Sequence, residues 1–141
     1  MEVEHGSMGP ESFDNDTVND WAYDLEDVAD LSLVSAAISS VLAVGADYVD
    51  SDQACEAIGA CEVIARLKGN FGVRDAYSEK VDEWVEAHPI APPEALVQQA
   101  LQAIDRILSP KSELMELWDE GGVNDEWHAK MADLRARVAG T

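Results

Sequence analysis

Basic residues are scarce in this chain, and none occurs before Arg66. The 141 residues include 29 acidic and 9 basic side chains, for a formal net charge of −20, and 15 of the acids precede Arg66. Such a field repels DNA, RNA and anionic membranes and favours cationic partners. We therefore expect no direct contact with nucleic acid or with a membrane. The alternative interpretation is that the charge serves solubility alone.

Long apolar runs are also missing. No stretch approaches the length of about 18 apolar residues that a membrane-spanning helix needs. The first seven residues are acidic and polar, without the basic start and apolar stretch of a signal peptide. We expect a cytoplasmic protein in which residues 1–12 form a flexible N-terminal segment and residues 13–141 a single helical domain. Residues 1–7 could be a cloning remnant, with Met8 as the native start.

The chain has only two cysteines, Cys55 and Cys61. They lie six positions apart in a predicted helix, so their side chains diverge by about 120°. That geometry is wrong for a disulfide between them, and the spacing is not the C-x-x-C of redox or zinc sites. We predict two small, partly buried thiols.

Catalytic and metal-binding motifs are absent. The sequence has no G-x-S-x-G, no phosphate-binding glycine loop, no H-x-x-x-H and no arginine cluster that would grip phosphate. The histidines are isolated in sequence: His5, His88 and His128. Three serines are predicted at helix ends: Ser32, Ser78 and Ser109. We therefore predict no catalytic residue, no metal ligand and no cofactor, and we do not expect an enzyme.

Apolar residues recur at helical spacing throughout, and strand alternation hardly appears. The prediction is an all-α protein, a compact multi-helix bundle of about six or seven short amphipathic helices. The first helix begins at a capping segment over residues 14–17 and turns a core-facing arc inward. That arc comprises Val18, Trp21, Ala22, Leu25 and Val28. The second helix, from about Asp30 to Val44, has the widest apolar stripe and is predicted to be central.

Capping and breaking residues predict the remaining helices. Asp50 caps a third helix that ends at Gly69, and Ser78 caps a short fourth helix that ends before Pro89. A fifth helix follows Pro92 and Pro93. The last two are a short helix ending at Gly121 and Gly122, and a final helix that begins at Asn124. Each of four helices carries a tryptophan on its apolar face: Trp21, Trp84, Trp118 and Trp127. We expect these rings to pack in the core, with lining of a groove as the alternative.

Aspartates crowd the first predicted helix on the side opposite its apolar arc. The candidate partner-binding residues are Asp14, Asp16, Asp20, Asp24 and Asp27. Like charges one turn apart cost a few tenths of a kcal/mol per pair, and the helix dipole offsets this only in the first turn. The face has two possible functions, docking of a basic partner and weak binding of a divalent cation. The remaining interpretation is a solvated face without function. A calcium loop starting at Asp14 fails, because Asn19 and Leu25 occupy its glycine and glutamate positions.

Several strings of the sequence are similar to those of a known family. The first runs from Ser12 to Thr17, and Asn19-Asp20-Trp21 and Asp24-Leu25 follow it. Further matches are Leu31-Ser32-Leu33, the stretch Trp84 to Pro89, and Ser112-Glu113-Leu114 with Leu117-Trp118. In this order they resemble the bacterial domain-of-unknown-function family 4259. The family's opening tryptophan-glycine pair is absent here, where His5-Gly6-Ser7 and Pro10-Glu11-Ser12 stand. The resemblance implies a small bacterial helical protein and no particular activity.

The leading functional prediction is a non-enzymatic acidic interaction protein that docks a basic protein partner, as immunity proteins and inhibitors do. In one form of this hypothesis the acidic face mimics nucleic acid towards a basic cleft. The alternatives are a metal-binding or metal-dependent protein that uses the N-terminal aspartates, and a structural or accessory module. The sequence does not choose an oligomeric state.

Overall fold

A computed structural model describes residues 16–72, 74, 78–121 and 124–140, with the side chains of residues 120, 121 and 124 left out. Within these ranges the chain forms seven α-helices and no strand, which confirms the predicted compact all-α fold. The helices are α1 (Asp16–Leu25), α2 (Ser32–Ala43), α3 (Ser51–Leu67), α4 (Glu79–Ala87), α5 (Glu94–Ile107), α6 (Glu113–Gly121) and α7 (Asn124–Ala139). None of them has the length and apolarity needed to cross a bilayer.

The central helix is α3, which packs against all six of the others. The wide stripe of α2 packs on more than one neighbour, α3 and α5, as predicted, but the central helix is α3 and not α2. The reason lies in side-chain size. The buried stretch of α3 is rich in alanine, cysteine and glycine, and small side chains let neighbouring helices approach on every side. In α2 the buried residues are confined to one face and comprise Val34, Ala37, Ile38 and Val41.

Gly59 lies at a close contact between α1 and α3. A Cβ atom built at this position would lie 3.2 Å from Cγ1 of Val18 and 3.3 Å from Cε3 of Trp21. The absence of a side chain at Gly59 therefore lets the indole of Trp21 lie directly on α3. This contact fixes α1 with its apolar arc inward and its aspartates outward, as its periodicity predicts.

Two ends of α3 follow the predicted capping chemistry. Oδ1 of Asp50 accepts a hydrogen bond from the backbone N–H of Gln53 at 2.8 Å, and the side chain of Gln53 completes a capping box. Gly69 has a φ of 88°, and the N–H of Asn70 reaches the carbonyl of Ala65, as in a Schellman motif. Both predictions are confirmed, so the position of α3 is encoded locally.

Ser78 occupies the N-cap position of α4, as predicted, but its side chain does not cap the helix. Its hydroxyl makes no capping hydrogen bond. It donates instead to Oδ2 of Asp82 at 2.8 Å, in the protein interior. The buried carboxylate is the stronger acceptor, since charge-assisted hydrogen bonds exceed neutral ones.

The four tryptophans are buried, as predicted. Trp118 and Trp127 stack almost in parallel across α6 and α7, with ring centroids 6.0 Å apart. The indole N–H of Trp84 donates to the carbonyl of Val28 at 2.8 Å and so attaches the connection between α1 and α2 to α4. The indole rings therefore hold the outer helices in place, which is the common role of buried aromatic residues.

Candidate functional site

The predicted aspartate face is exposed in the structure. Asp16, Asp20 and Asp24 lie on the solvent side of α1, and Asp27 lies just beyond it. The helix ends at Leu25 because the next residues turn with three-residue hydrogen bonds, such as Asp27 N–H to the carbonyl of Asp24 at 3.1 Å. Asp27 is therefore exposed but does not belong to the helix, contrary to the predicted wheel. Asp14 lies outside the described residues.

The acidic surface continues from α1 onto the start of α3. The hydroxyl of Thr17 donates to Oδ1 of Asp52 at 3.0 Å and so ties the two helices together. The pKa of Glu56, one turn further along α3, is raised first by desolvation and then by the charges of Asp52, Asp24 and Asp50. The part of this shift that comes from charge involves carboxylates of two helices, Asp24 of α1 and Asp52 of α3.

The start of α6 brings a further acid next to the start of α3. Oε1 of Glu113 accepts a hydrogen bond from the backbone N–H of Ser51 at 2.8 Å. Burial raises the pKa of the Cys55 thiol to about 12, and the charges of Asp52, Glu56, Asp50 and Glu113 add to this effect. Acids at the starts of both α3 and α6 therefore lie close enough to this thiol to raise its pKa.

We call the exposed and half-buried acids of α1, of the turn after it and of the starts of α3 and α6 the acidic band. It comprises Asp16, Asp20, Asp24, Asp27, Asp50, Asp52, Glu56, Glu113 and Glu116. Sequence reasoning found the α1 part only, because the α3 and α6 parts come from positions about thirty to a hundred residues further along the chain. The available signal was the acidic start of each of those helices, which helix-dipole chemistry alone explains equally well.

Basic side chains lie both away from this band and beside it. Arg135 forms a two-pronged contact with Asp105, at 2.8 and 3.0 Å. Lys80 lies beside α1, with its Nζ 4.3 Å from the ring centroid of Tyr23, and Arg106 lies near the α6 end of the band, where it donates to the carbonyls of Gly45 and Asp47. The band therefore keeps an excess of negative charge.

A second group of charged residues lies inside the protein, and the sequence analysis missed it. Nε of Arg66 donates to Oδ1 of Asp82 at 2.7 Å, and Nη1 of Arg66 contacts Oε1 of Glu62. Arg137 reaches both carboxylate oxygens of Glu62, at 2.8 and 2.9 Å. These four side chains, which we call the ionic core, join α3, α4 and α7. The signal was present in α3: between Ala57 and Arg66 the helix has no polar face, so its two charged residues must be buried.

Arg74 extends the ionic core to the surface. Its guanidinium lies 4.6 Å from the ring centroid of Phe71 and donates to Oε2 of Glu86 at 2.9 Å. The arginines at 66, 74 and 137 therefore gather in space, although they are scattered in sequence. Each contacts a carboxylate, so the group is charge-balanced and does not offer a phosphate site. Within the part of the chain that the structure describes, these ion pairs hold α3, α4 and α7 together.

Metal-ligand geometry is not found in the part of the chain that the structure describes. No three side chains of histidine, cysteine, aspartate or glutamate there converge on one point that could hold an ion. His88 stacks on Trp84 with centroids 4.6 Å apart, and His128 lies 3.6 Å from Asp119. The two cysteines are unbridged, as predicted, and they are more completely buried than the partly buried thiols expected from sequence.

Comparison with known proteins gives one match. A family model described as "Domain of unknown function (DUF4259)" matches residues 6–130. Neither the curated proteins nor the solved structures contain a match. The aspartate-rich helix, the Trp84–Pro89 stretch and the start of α6 all fall within the matched range.

Proposed function

Because the chain belongs to the DUF4259 family, whose description gives no activity, we propose its function from its own surface. It is a non-enzymatic interaction protein that docks a basic protein partner on the acidic band. Asp16, Asp20, Asp24 and Asp27 contribute the first part of this surface, and we include Asp14 as predicted from sequence. The partner class is a protein with a basic cleft or patch, as for inhibitors and immunity proteins.

One observation carries the proposal: exposed acids of α1 and of the start of α3 lie side by side, where the hydroxyl of Thr17 donates to Asp52 at 3.0 Å. The pKa of Glu56 beside them is raised first by desolvation and then by the charges of Asp52, Asp24 and Asp50. Repulsion between like charges costs folding free energy, and a cationic partner relieves it on binding. The band is therefore a surface whose carboxylates are more stable in a complex with a cation than alone.

The same field also acts on association rates. A net charge of −20 on a small protein steers a basic partner towards the band and raises the association rate at low ionic strength. Salt screens this steering over about 10 Å at 0.1 M. The interaction is therefore expected to weaken steeply with salt, unlike one based on apolar contacts.

The geometry gives less support to the alternatives from sequence. The metal-dependent alternative needs converging ligands, and no described group of three provides them. An accessory module without a defined surface remains an alternative, and it predicts that no single surface matters for binding.

The test compares two variants with the same change in charge. The first replaces Asp16, Asp20, Asp24 and Asp27 by asparagine. The second replaces four exposed acids outside the band by the matching amides: Glu79, Glu83, Asp125 and Glu126. Immobilised wild type, band variant and control variant are exposed to host lysate at low salt, and retained proteins are eluted by a salt gradient and identified.

The proposal predicts one basic protein that elutes from the wild type and the control but not from the band variant. Its dissociation constant, measured with the purified protein, should rise with salt on a log–log plot. If the basic protein is lost equally from the band variant and the control variant, net charge alone attracts it. If the wild type retains no protein specifically, the docking function is refuted.

A further inference from the structure

One end of the acidic band combines a carboxylate with exposed apolar side chains. The hydroxyl of Tyr48 donates to Oε1 of Glu116 at 2.6 Å, so this tyrosine and this carboxylate form a fixed pair. Tyr48 is 48% exposed, and Leu117, the next residue of α6, is 43% exposed. Large apolar side chains with this exposure are few among the described residues, and a solvated acidic face has no need of them.

The backbone holds this pair rigidly. The N–H of Val49 donates to the carbonyl of Lys111 at 2.9 Å, and the N–H of Glu113 donates to the carbonyl of Val49 at 2.9 Å. The two hydrogen bonds fasten the segment that carries Tyr48 to the start of α6. Arg106 supports the same segment through the carbonyls of Gly45 and Asp47. A partner therefore meets a preorganised site, which lowers the entropy cost of binding.

The molecule already contains this pairing of groups with an arginine bound to it. The guanidinium of Arg74 lies over the ring of Phe71 and donates to Glu86, with one aromatic face and one carboxylate. A planar guanidinium suits this combination because it can stack on a ring and donate in its own plane at the same time. Lysine has a compact ammonium group and cannot do both equally well.

We propose that Tyr48, Glu116 and Leu117 form an arginine-selective docking site. In this site the guanidinium of a partner arginine stacks on the ring of Tyr48 and donates to Glu116, and an aliphatic side chain next to that arginine packs on Leu117. The inference rests on the proposed function, because the site lies at the α6 end of the acidic band. It adds the kind of partner segment: an arginine-bearing basic stretch with an adjacent apolar residue.

Charge complementarity selects this occupant. The helix α6 has no basic residue, and its exposed side chains near Leu117 include Glu116 and Asp119. A purely apolar partner would desolvate the carboxylate of Glu116, whose charge the Tyr48 hydroxyl does not neutralise, and an acidic partner would be repelled. A basic segment supplies a counter-charge to Glu116 and covers the apolar surface together.

The experiment uses the full chain and two synthetic peptides of equal length and charge. The peptides are identical, with leucines between the basic positions, except that one carries arginine and the other lysine. Binding is measured by titration calorimetry at low ionic strength. We expect the arginine peptide to bind wild type about threefold more tightly, the difference expected from one exposed stacking contact.

Four variants locate the preference. Tyr48→Leu keeps an apolar side chain but removes the ring, and should bind the two peptides equally, as should Glu116→Gln. Tyr48→Phe keeps the ring and should retain the preference. Glu83→Gln, which removes one exposed charge from α4, is the control and should also retain it. Thermal melts establish that each variant is folded.

The outcomes separate the two proposals. If wild type binds both peptides with the same affinity, or if Tyr48→Leu keeps the arginine preference, the docking site is refuted while the docking function of the band survives. If wild type binds neither peptide at low ionic strength, the function of the band is refuted as well.

Discussion

Arg66 in α3 and Asp82 in α4 form a buried ion pair, with 2.7 Å between Nε and Oδ1 and both side chains at most 7% exposed. The same carboxylate accepts the hydroxyl of Ser78 through its other oxygen at 2.8 Å. Both oxygens are thus bound, which is the condition under which a buried charge is tolerated. The pair joins the central helix to α4, so we expect its loss to lower the stability of the whole fold.

The first prediction concerns this pair. Replacing Asp82 by alanine leaves Arg66 buried with one carboxylate fewer, and we expect the free energy of unfolding to fall by about 3 kcal/mol. Urea denaturation followed by circular dichroism measures it. Glu83→Ala, at the exposed neighbouring position, should change stability by less than about 0.5 kcal/mol. An equal effect of the two substitutions would show that the ionic core does not hold α4.

The second prediction concerns the crossing of α1 and α3. Gly59→Leu places a large side chain where a Cβ atom already meets Val18 and Trp21 within 3.4 Å. We expect a loss of about 2 kcal/mol from overpacking, despite the better helix propensity of leucine. Ala36→Leu, on the exposed side of α2, is the matched control and should be close to neutral. Tryptophan fluorescence should report the displacement of Trp21, and an unchanged unfolding midpoint would contradict the close approach.

The third prediction concerns pH. The pKa of Glu56 is raised in the folded state, mainly by desolvation and then by Asp52, Asp24 and Asp50. A carboxyl whose folded pKa exceeds its unfolded pKa binds protons more tightly when folded, so its contribution destabilises the fold as pH rises through that interval. Glu56→Gln should therefore stabilise the protein at neutral pH, by less than about 0.5 kcal/mol because the group is largely solvated. High salt should remove only the part of the gain that comes from the neighbouring charges, and the whole gain should vanish below the ordinary pKa of glutamate.

Melting temperatures of wild type and Glu56→Gln across pH and salt would test this. Glu83→Gln is again the control, and its melting curve should follow that of wild type at every pH. A melting temperature of Glu56→Gln below that of wild type at neutral pH would contradict the predicted sign.

The fourth prediction concerns the thiols. Burial raises the pKa of Cys55 to about 12 and that of Cys61 further still. Since the thiolate is the reactive form, neither should react with a thiol reagent at neutral pH in the native protein. Both should react at once in denaturant, where burial is lost. Rapid native labelling of either cysteine, measured by mass spectrometry, would contradict the packing of α3.

Local signals predicted the helices well. Asp50, Gly69 and Pro93 each mark a helix end where the structure has one, since capping and backbone constraints act over a few residues. The apolar arc of α1 and its aspartate face also follow from spacing alone. Ser78 was misjudged because its hydrogen-bond partner is a buried carboxylate, and the sequence does not reveal which carboxylates are buried.

The sequence by itself determined an acidic, all-α chain with its helices, their inward faces and the α1 part of the acidic band, because these depend on periodicity and neighbouring residues. Only the tertiary structure decided that α3 is central, that Glu62 and Arg137 meet across 2.8 Å, and that Tyr48 is bonded to Glu116. Such contacts join residues about seventy positions apart, and their formation depends on how small and large side chains pack between helices. That packing is a property of the whole molecule, which no local pattern contains.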